Sequence, residues 1–414
     1  MPRRRISTAL AALSTFAAML SMSPIAHAWA PVACPSPPRR PEPAPTGVPW
    51  PWQRYDQSRL NALADGHGIV VAVVDSGVDA RHPQLRGAVE PGPDQLDGGD
   101  SALDCVGHGT GVAGIIAARP SPATAFRGLA PAATILALRV SEQTEGGDGT
   151  PTGRRGTPAG LANAIRDAVA HKARVINLSL VSYSDDAAVR DAVAFAQRND
   201  VVVVAAVGNG AERGNRTPFP AAYDGVIGVG SITPDGQRAP SSQTGAYVDL
   251  VAPGAGIVTT ATPQGWATMD GTSFAAPFVS AAAALLRQYR PELSAPEVAA
   301  RLIATADGGR AGPGYGAGVL NPLRALTELT GASPDPGARA PAEPARPDAA
   351  ARAAATRTTV GWASAGLAAV LLALVLSAVL PRGRRRGWRP GLRALRSASE
   401  PPADPTAPAF GPPN

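Results

Sequence analysis

The hydrophobic pattern of this chain is one of short, unbroken apolar runs rather than strict alternation. They occur at 69–75 (IVVAVVD), 134–140 (TILALRV), 174–180 (RVINLSL), 200–208 (DVVVVAAVG), 225–232 (GVIGVGSI) and 247–253 (YVDLVAP). Continuous Val/Ile/Leu runs of this length predict strands buried on both faces, the habit of a parallel sheet. Helical periodicity fills several intervals, at 159–171 and at 186–198, the second opened by a cap at Ser184 or Asp185. The alternation predicts an α/β fold with a doubly wound, mostly parallel sheet, helices on both faces, and a site at the carboxyl ends of the strands. A different pattern marks 270–286, DGTSFAAPFVSAAAALL: a polar turn leads into a helix that is almost purely apolar, interrupted by Ser280.

Proline and arginine redraw the boundaries of that body. Of 45 Gly and 43 Pro, the prolines cluster outside the apolar runs. Residues 1–28 combine Arg3, Arg4 and Arg5, an apolar run from Ile6 and the small residues around Ala28, the make-up of a signal peptide. Residues 29–51 are expected to be an extended Pro-rich arm, 52–329 the folded body, and 330–357 an Ala/Pro-rich stalk. No charge occurs from Thr358 to Leu380, long enough for one C-terminal transmembrane helix over 358–380. Arg382, Arg384, Arg385, Arg386 and Arg389 follow at once, which places the basic, then Pro-rich tail (381–414) in the cytoplasm and the body outside the cell membrane.

The net charge of +6 therefore belongs to the two ends. The body between them is slightly acidic, which excludes a nucleic-acid partner read from the overall pI. In an exported chain the two cysteines, Cys34 and Cys105, are expected to form a disulfide that ties the arm to the loop before Gly107 and His108.

Three stretches carry candidate chemistry. VAVVDSGVD ends a buried strand in Asp75; GHGTGVAGIIA sets His108 between glycines at the start of a helix; GTSFAAPFVS places Ser273 at the mouth of the apolar helix. A hydroxyl there is an ordinary N-cap, or a nucleophile whose developing charge the helix terminus favours. With a carboxylate to orient an imidazole and the imidazole to take the serine proton, the second reading is complete. Asn209, in AAVGNGAERG, follows a strand and can donate its amide to an oxyanion. His67, His82 and His171 read as structural or surface imidazoles, and Asp270 as a turn residue.

These motifs closely resemble the active-site motifs of the subtilisin-like serine proteases, over residues 65–329. The layout as a whole, with PWQRYDQSRL, FRGLAPAATILALR, the stalk, the span and the basic tail, resembles the mycosins, membrane-anchored subtilases of type VII secretion systems. The resemblance implies a subtilisin-like fold, Asp75 as orienting acid, His108 as general base, Ser273 as nucleophile and Asn209 as oxyanion donor. It implies that Leu178, Ser179 and Leu180 bind the substrate backbone, with Val181 standing where many subtilases have glycine. It also implies protein or peptide substrates, membrane components of a secretion complex as partners, and no cofactor. No acidic loop has calcium-binding spacing, so no metal is expected. A scaffold role within such a complex is the competing function. The loop 141–158, with five glycines and no apolar anchor, is expected to be mobile beside the cleft and open to proteolysis at Arg154 and Arg155.

Overall fold

The computed structural model describes residues 41–96, 98–99, 101–145, 151–308, 312–328 and 380–381. The chain divides into two compact units, 1–331 and 332–414. Of the second, only Leu380 and Pro381 are described, so the expected stalk, nearly all of the expected span and the basic tail lie outside the described residues, as do the expected signal peptide and Cys34. Among the described residues no helix is long and apolar enough to cross a membrane.

Eight helices and eleven strands make up the described part of the first unit. The helices are α1 (Trp50–Arg54), α2 (Gln57–Leu63), α3 (His108–Ala117), α4 (Pro158–Ala170), α5 (Ala187–Arg198), α6 (Thr272–Tyr289), α7 (Ala295–Ala304) and α8 (Pro322–Thr327). The strands are β1 (Val70–Asp75), β2 (Val89–Asp94), β3 (Thr134–Arg139), β4 (Thr144–Glu145), β5 (Pro151–Thr152), β6 (Val175–Leu178), β7 (Val202–Ala206), β8 (Ile227–Ile232), β9 (Leu250–Pro253), β10 (Ile257–Ala261) and β11 (Gly265–Met269). Seven form one sheet in the order β2-β3-β1-β6-β7-β8-β9, and every neighbouring pair is parallel. The six apolar runs of the sequence are β1, β3, β6, β7, β8 and β9.

Successive side chains of a strand point to opposite faces, and β1 shows the consequence. Val71 and Val73 enter one core with α3, α6 and α7, while Ala72 and Val74 enter a second with α4 and α5. All four are fully buried. The α6 helix passes through the first core with Phe274, Phe278, Val279, Leu285 and Leu286 all buried, each such large side chain contributing roughly 1.5–3 kcal/mol of burial free energy.

Three expectations change in detail. Pro-rich character was expected to keep the arm extended through residue 51, but Trp50 opens α1, because Pro51 at the first turn lacks only an N–H that the helix does not use. Before it, Glu42 pairs with Trp266 of β11. The cap of α5 is Asp186, whose carboxylate accepts from the N–H groups of Ala188 and Val189, rather than Ser184 or Asp185. The loop 141–158 is anchored by charge where apolar anchors are missing. Buried Glu142 pairs with buried Arg139 and with Arg154 Nε at 2.6 Å, while Arg139 Nη1 also meets Asp94 at 2.9 Å. The N–H of Glu142 donates to Arg154 O at 2.9 Å, while Arg154 and Arg155 are both exposed; residues 146–150 lie outside the described part.

Candidate active site

β1 lies between β3 and β6, so connections leave it in both directions across the sheet. Such a reversal opens a crevice at the carboxyl ends of the strands. Asp75 is the last residue of β1, and helices α3 and α6 begin beside it with His108 and Thr272-Ser273. Three side chains distant in sequence are thereby delivered to one place by a strand end and two helix starts.

The turn into α3 permits a close approach. Gly107 takes a left-handed φ of 81°. A Cβ at Gly109 would lie 2.1 Å from Gly77 O and 3.1 Å from Asp75 Oδ1, so only glycine lets this helix start against the aspartate. His108 Nδ1 then meets Asp75 Oδ1 at 2.7 Å. The carboxylate accepts, so Nδ1 carries the proton in the neutral ring and Nε2 keeps its lone pair. Asp75 Oδ1 also accepts from the N–H of Ser76 at 2.7 Å. The imidazole is about a quarter exposed, at 24%, whereas the Asp75 side chain is 4% exposed. Burial disfavours the imidazolium, but the negative charges of Asp75 and Asp104 outweigh it and raise the His108 pKa above the ordinary histidine value.

Asp104 is a residue that motif reading overlooked. Its Oδ1 accepts from Ser76 Oγ at 2.9 Å, Val106 N at 3.1 Å and Gly107 N at 2.8 Å, and its Oδ2 from Thr110 N at 2.8 Å and Thr110 Oγ1 at 2.6 Å. Burial pushes its pKa upward against these donors. Every neighbour donates, so the geometry is that of an acceptor-only carboxylate. Ser76 Oγ accepts in turn from Gly109 N at 2.9 Å, which locks both sides of His108 to the end of β1. An acid four residues before the glycine-flanked histidine, and the serine of DSG, were the available signals.

Ser273 stands in the first turn of α6 after Gly271, whose φ is 130°. A Cβ at Gly271 would come within 3.0 Å of Asn209 Nδ2. Asn209 Oδ1 accepts from Thr272 N at 2.9 Å and from Thr272 Oγ1 at 3.2 Å, and Thr272 Oγ1 accepts from Gly208 N at 3.0 Å. With its oxygen so occupied, the Asn209 amide turns its NH2 group to the opposite side, where it has no partner among the described residues. Ser273 Oγ donates to Ser179 O at 3.2 Å rather than to His108. That is long for an O–H···O bond and readily exchanged. The imidazole packs on Phe274, the next residue, with ring centroids 5.1 Å apart. Asp75, His108, Ser273 and Asn209 are thus brought to one crevice.

The expected substrate strand divides in two. Leu178 is paired on both sides inside the sheet, with Val74 and with Ala205. Ser179 and Leu180 lie beyond the ladder, and the next pairing along the chain is an isolated antiparallel bridge of Ser182 with Phe219. Cys105 is buried just ahead of His108, and its expected partner Cys34 lies outside the described residues. His82 is structural: it is fully buried, with Nε2 2.9 Å from Gly265 O and Nδ1 accepting from Gln84 N. His171 Nδ1 meets Asp167 O, one turn back on α4, and His67 is exposed. Asp270 closes a turn by accepting from Gly256 N at 2.8 Å. Among the described residues no cluster of His, Cys, Asp and Glu is gathered to hold a metal ion.

This sheet, with an aspartate–histidine pair beside a helix-borne serine, defines an α/β serine protease scaffold. A sequence model of the subtilase family, peptidase S8, matches residues 66–322, and the chain belongs to that family. It is 40% identical over 237 residues to the thermophilic serine proteinase of Bacillus sp. (strain AK1), covering 57% of this chain and 56% of that protein, little more than half of that relative's length. It is 34% identical over 385 residues to mycosin-3 of Mycobacterium tuberculosis (strain ATCC 25618 / H37Rv), covering 78% of this chain and 82% of the relative. The crystal structure of MycP1 from the ESX-1 type VII secretion system superposes with a TM-score of 0.62 at 30% identity, covering 74% of this chain and 92% of that one.

Proposed function

We propose that this chain is a membrane-tethered serine endopeptidase that processes proteins exported by a type VII secretion system and supports that machinery. The observation that carries the chemistry is the 2.7 Å bond between His108 Nδ1 and Asp75, which leaves Nε2 as the basic nitrogen free to take the Ser273 proton. Ser273 Oγ leaves Ser179 O, attacks the scissile carbonyl and gives its proton to His108 Nε2; Asp75 stabilises the resulting imidazolium. The oxyanion takes hydrogen bonds from Asn209 Nδ2 and from the backbone N–H of Ser273, one of the unpaired donors at the start of α6. Imidazolium then protonates the departing amine, leaving an acyl-enzyme that water cleaves by the reverse proton path. The unpaired stretch at Ser179 and Leu180 aligns the substrate backbone by strand addition.

The secretion role is supported by similarity to mycosin-3 and to MycP1 over most of their lengths. In this reading the span at 358–380 holds the body outside the cell membrane, with the tail cytoplasmic, and a Cys34–Cys105 disulfide staples the arm. The competing reading is a structural subunit whose proteolysis is dispensable. A chromosomal Ser273→Ala allele separates them: processing of exported proteins lost with the substitution supports the peptidase role, whereas secretion that fails only on deletion assigns the essential role to the scaffold.

A further inference from the structure

The serine within the apolar helix remains to be accounted for. Ser280 is fully buried two turns into α6, among alanines, valine and leucines. A hydroxyl in such a place is retained without penalty only where it is hydrogen-bonded. Ser280 Oγ donates to Asn177 Oδ1 at 2.8 Å, and Asn177, on β6, is itself fully buried. Asn177 Nδ2 donates to Ser179 Oγ at 2.9 Å. Ser179 Oγ donates to the backbone carbonyl of Ser273 at 2.7 Å.

The chain of bonds has a direction, and that direction matters because of Pro277. In a regular helix the carbonyl of Ser273 would accept from the N–H of residue 277. Proline has none, so this carbonyl loses its helical partner. Ser179 supplies the missing donor. As it does so, its own oxygen accepts from the Asn177 NH2 group, and that orientation of the amide is the one in which Oδ1 faces the Ser280 hydroxyl. Rotated by half a turn, the amide would present its oxygen to Ser179, which would donate to it and abandon the Ser273 carbonyl.

The structure assigns Ser280, Asn177 and Ser179 as positioning residues: a buried, directional hydrogen-bond relay that fixes the backbone of Ser273 and so the place of its hydroxyl. The assignment rests on the reading of Ser273 as the nucleophile. The relay is made of neutral groups and touches neither His108 nor Asp75, so it affects the rate of attack without changing the protonation of the base.

The experiment is a double-mutant cycle on the exported body, read as kcat and KM on a peptide substrate and as the rate of fluorophosphonate labelling. Ser280→Ala is expected to lower kcat by about fivefold, the size of one neutral hydrogen bond, with KM and the acid limb of the pH profile unchanged. Ser179→Ala is expected to cost about tenfold or more, since it empties the Ser273 carbonyl directly. The double variant should be no slower than Ser179→Ala alone, because both substitutions cut one path. Ala283→Gly, a buried substitution elsewhere on α6, lowers stability but should leave kcat at the wild-type value. Wild-type kcat in Ser280→Ala, multiplicative losses in the double variant, or an equal loss in Ala283→Gly would each overturn the relay. Failure of the wild-type protein to be labelled at Ser273 would instead remove the nucleophile assignment on which the relay rests.

Discussion

Two helix starts meet at this site, and they are held by opposite means. Both α3 and α6 follow a glycine with positive φ, and both run buried into the same core. The start of α3 is fixed by charge: Asp75 holds the imidazole, and Asp104 gathers Ser76, Val106, Gly107 and Thr110 around it. The start of α6 is fixed by neutral groups, with Asn209 on Thr272 and Ser179 on the Ser273 carbonyl. Charge is used where a proton must be attracted, and neutral hydrogen bonds where an oxygen must be placed. The two ends should therefore respond differently to pH.

Substitution tests that division. Ser273→Ala should abolish covalent chemistry, a loss of about 10⁶-fold in kcat if the triad acts as a unit. Asp75→Asn should cost roughly 10⁴-fold, by losing the tautomer in which Nε2 is basic. At the neutral end, Asn209→Ala should lower kcat by about 10²–10³-fold while leaving the shape of the pH profile intact. A shifted acid limb in that variant would break the comparison.

The Asp104→Asn substitution sharpens it. Removing this charge relieves one of the influences that raise the His108 pKa, so the acid limb of kcat/KM should move to lower pH. Peptide hydrolysis followed from pH 5 to 9 measures it, and an unmoved limb would confine Asp104 to a purely structural part. The smallest effect concerns stability. Because the folded protein raises the His108 pKa, the imidazolium–Asp75 pair stabilises the fold below the ordinary histidine value of about 6.5, and this contribution is lost as pH rises through the folded-state pKa. His108→Ala should thus destabilise more at pH 5.5 than at pH 9. Thermal unfolding at the two pH values checks the sign.

Much of this was legible in sequence because each catalytic candidate sits in a local motif. Asp75 ends a valine run, His108 is flanked by glycines, and Ser273 opens an apolar helix. The six apolar runs foretold their strands for the same reason. What was not legible depends on partners far away in the chain. β2, with the sequence VEPGPD, has no strand character of its own and pairs because β3 offers an open edge. The β10–β11 hairpin is built from threonine-rich segments, and its tip packs against the buried His82. Asp104 looks like any turn acid until Ser76, 28 residues earlier, is brought to it. The anchor of the 141–158 loop is a buried Arg139–Glu142 pair that a linear reading assigns to solvent.

The central claim is that Ser273 attacks as His108 takes its proton, and the pH dependence of Ser273 acylation tests it most directly. Fluorophosphonate should add once, at Ser273, with a labelling rate that rises with pH through a limb above the ordinary histidine value and that collapses in His108→Ala. An adduct on any other residue, or a rate at Ser273 that is flat with pH and indifferent to His108, would contradict the account.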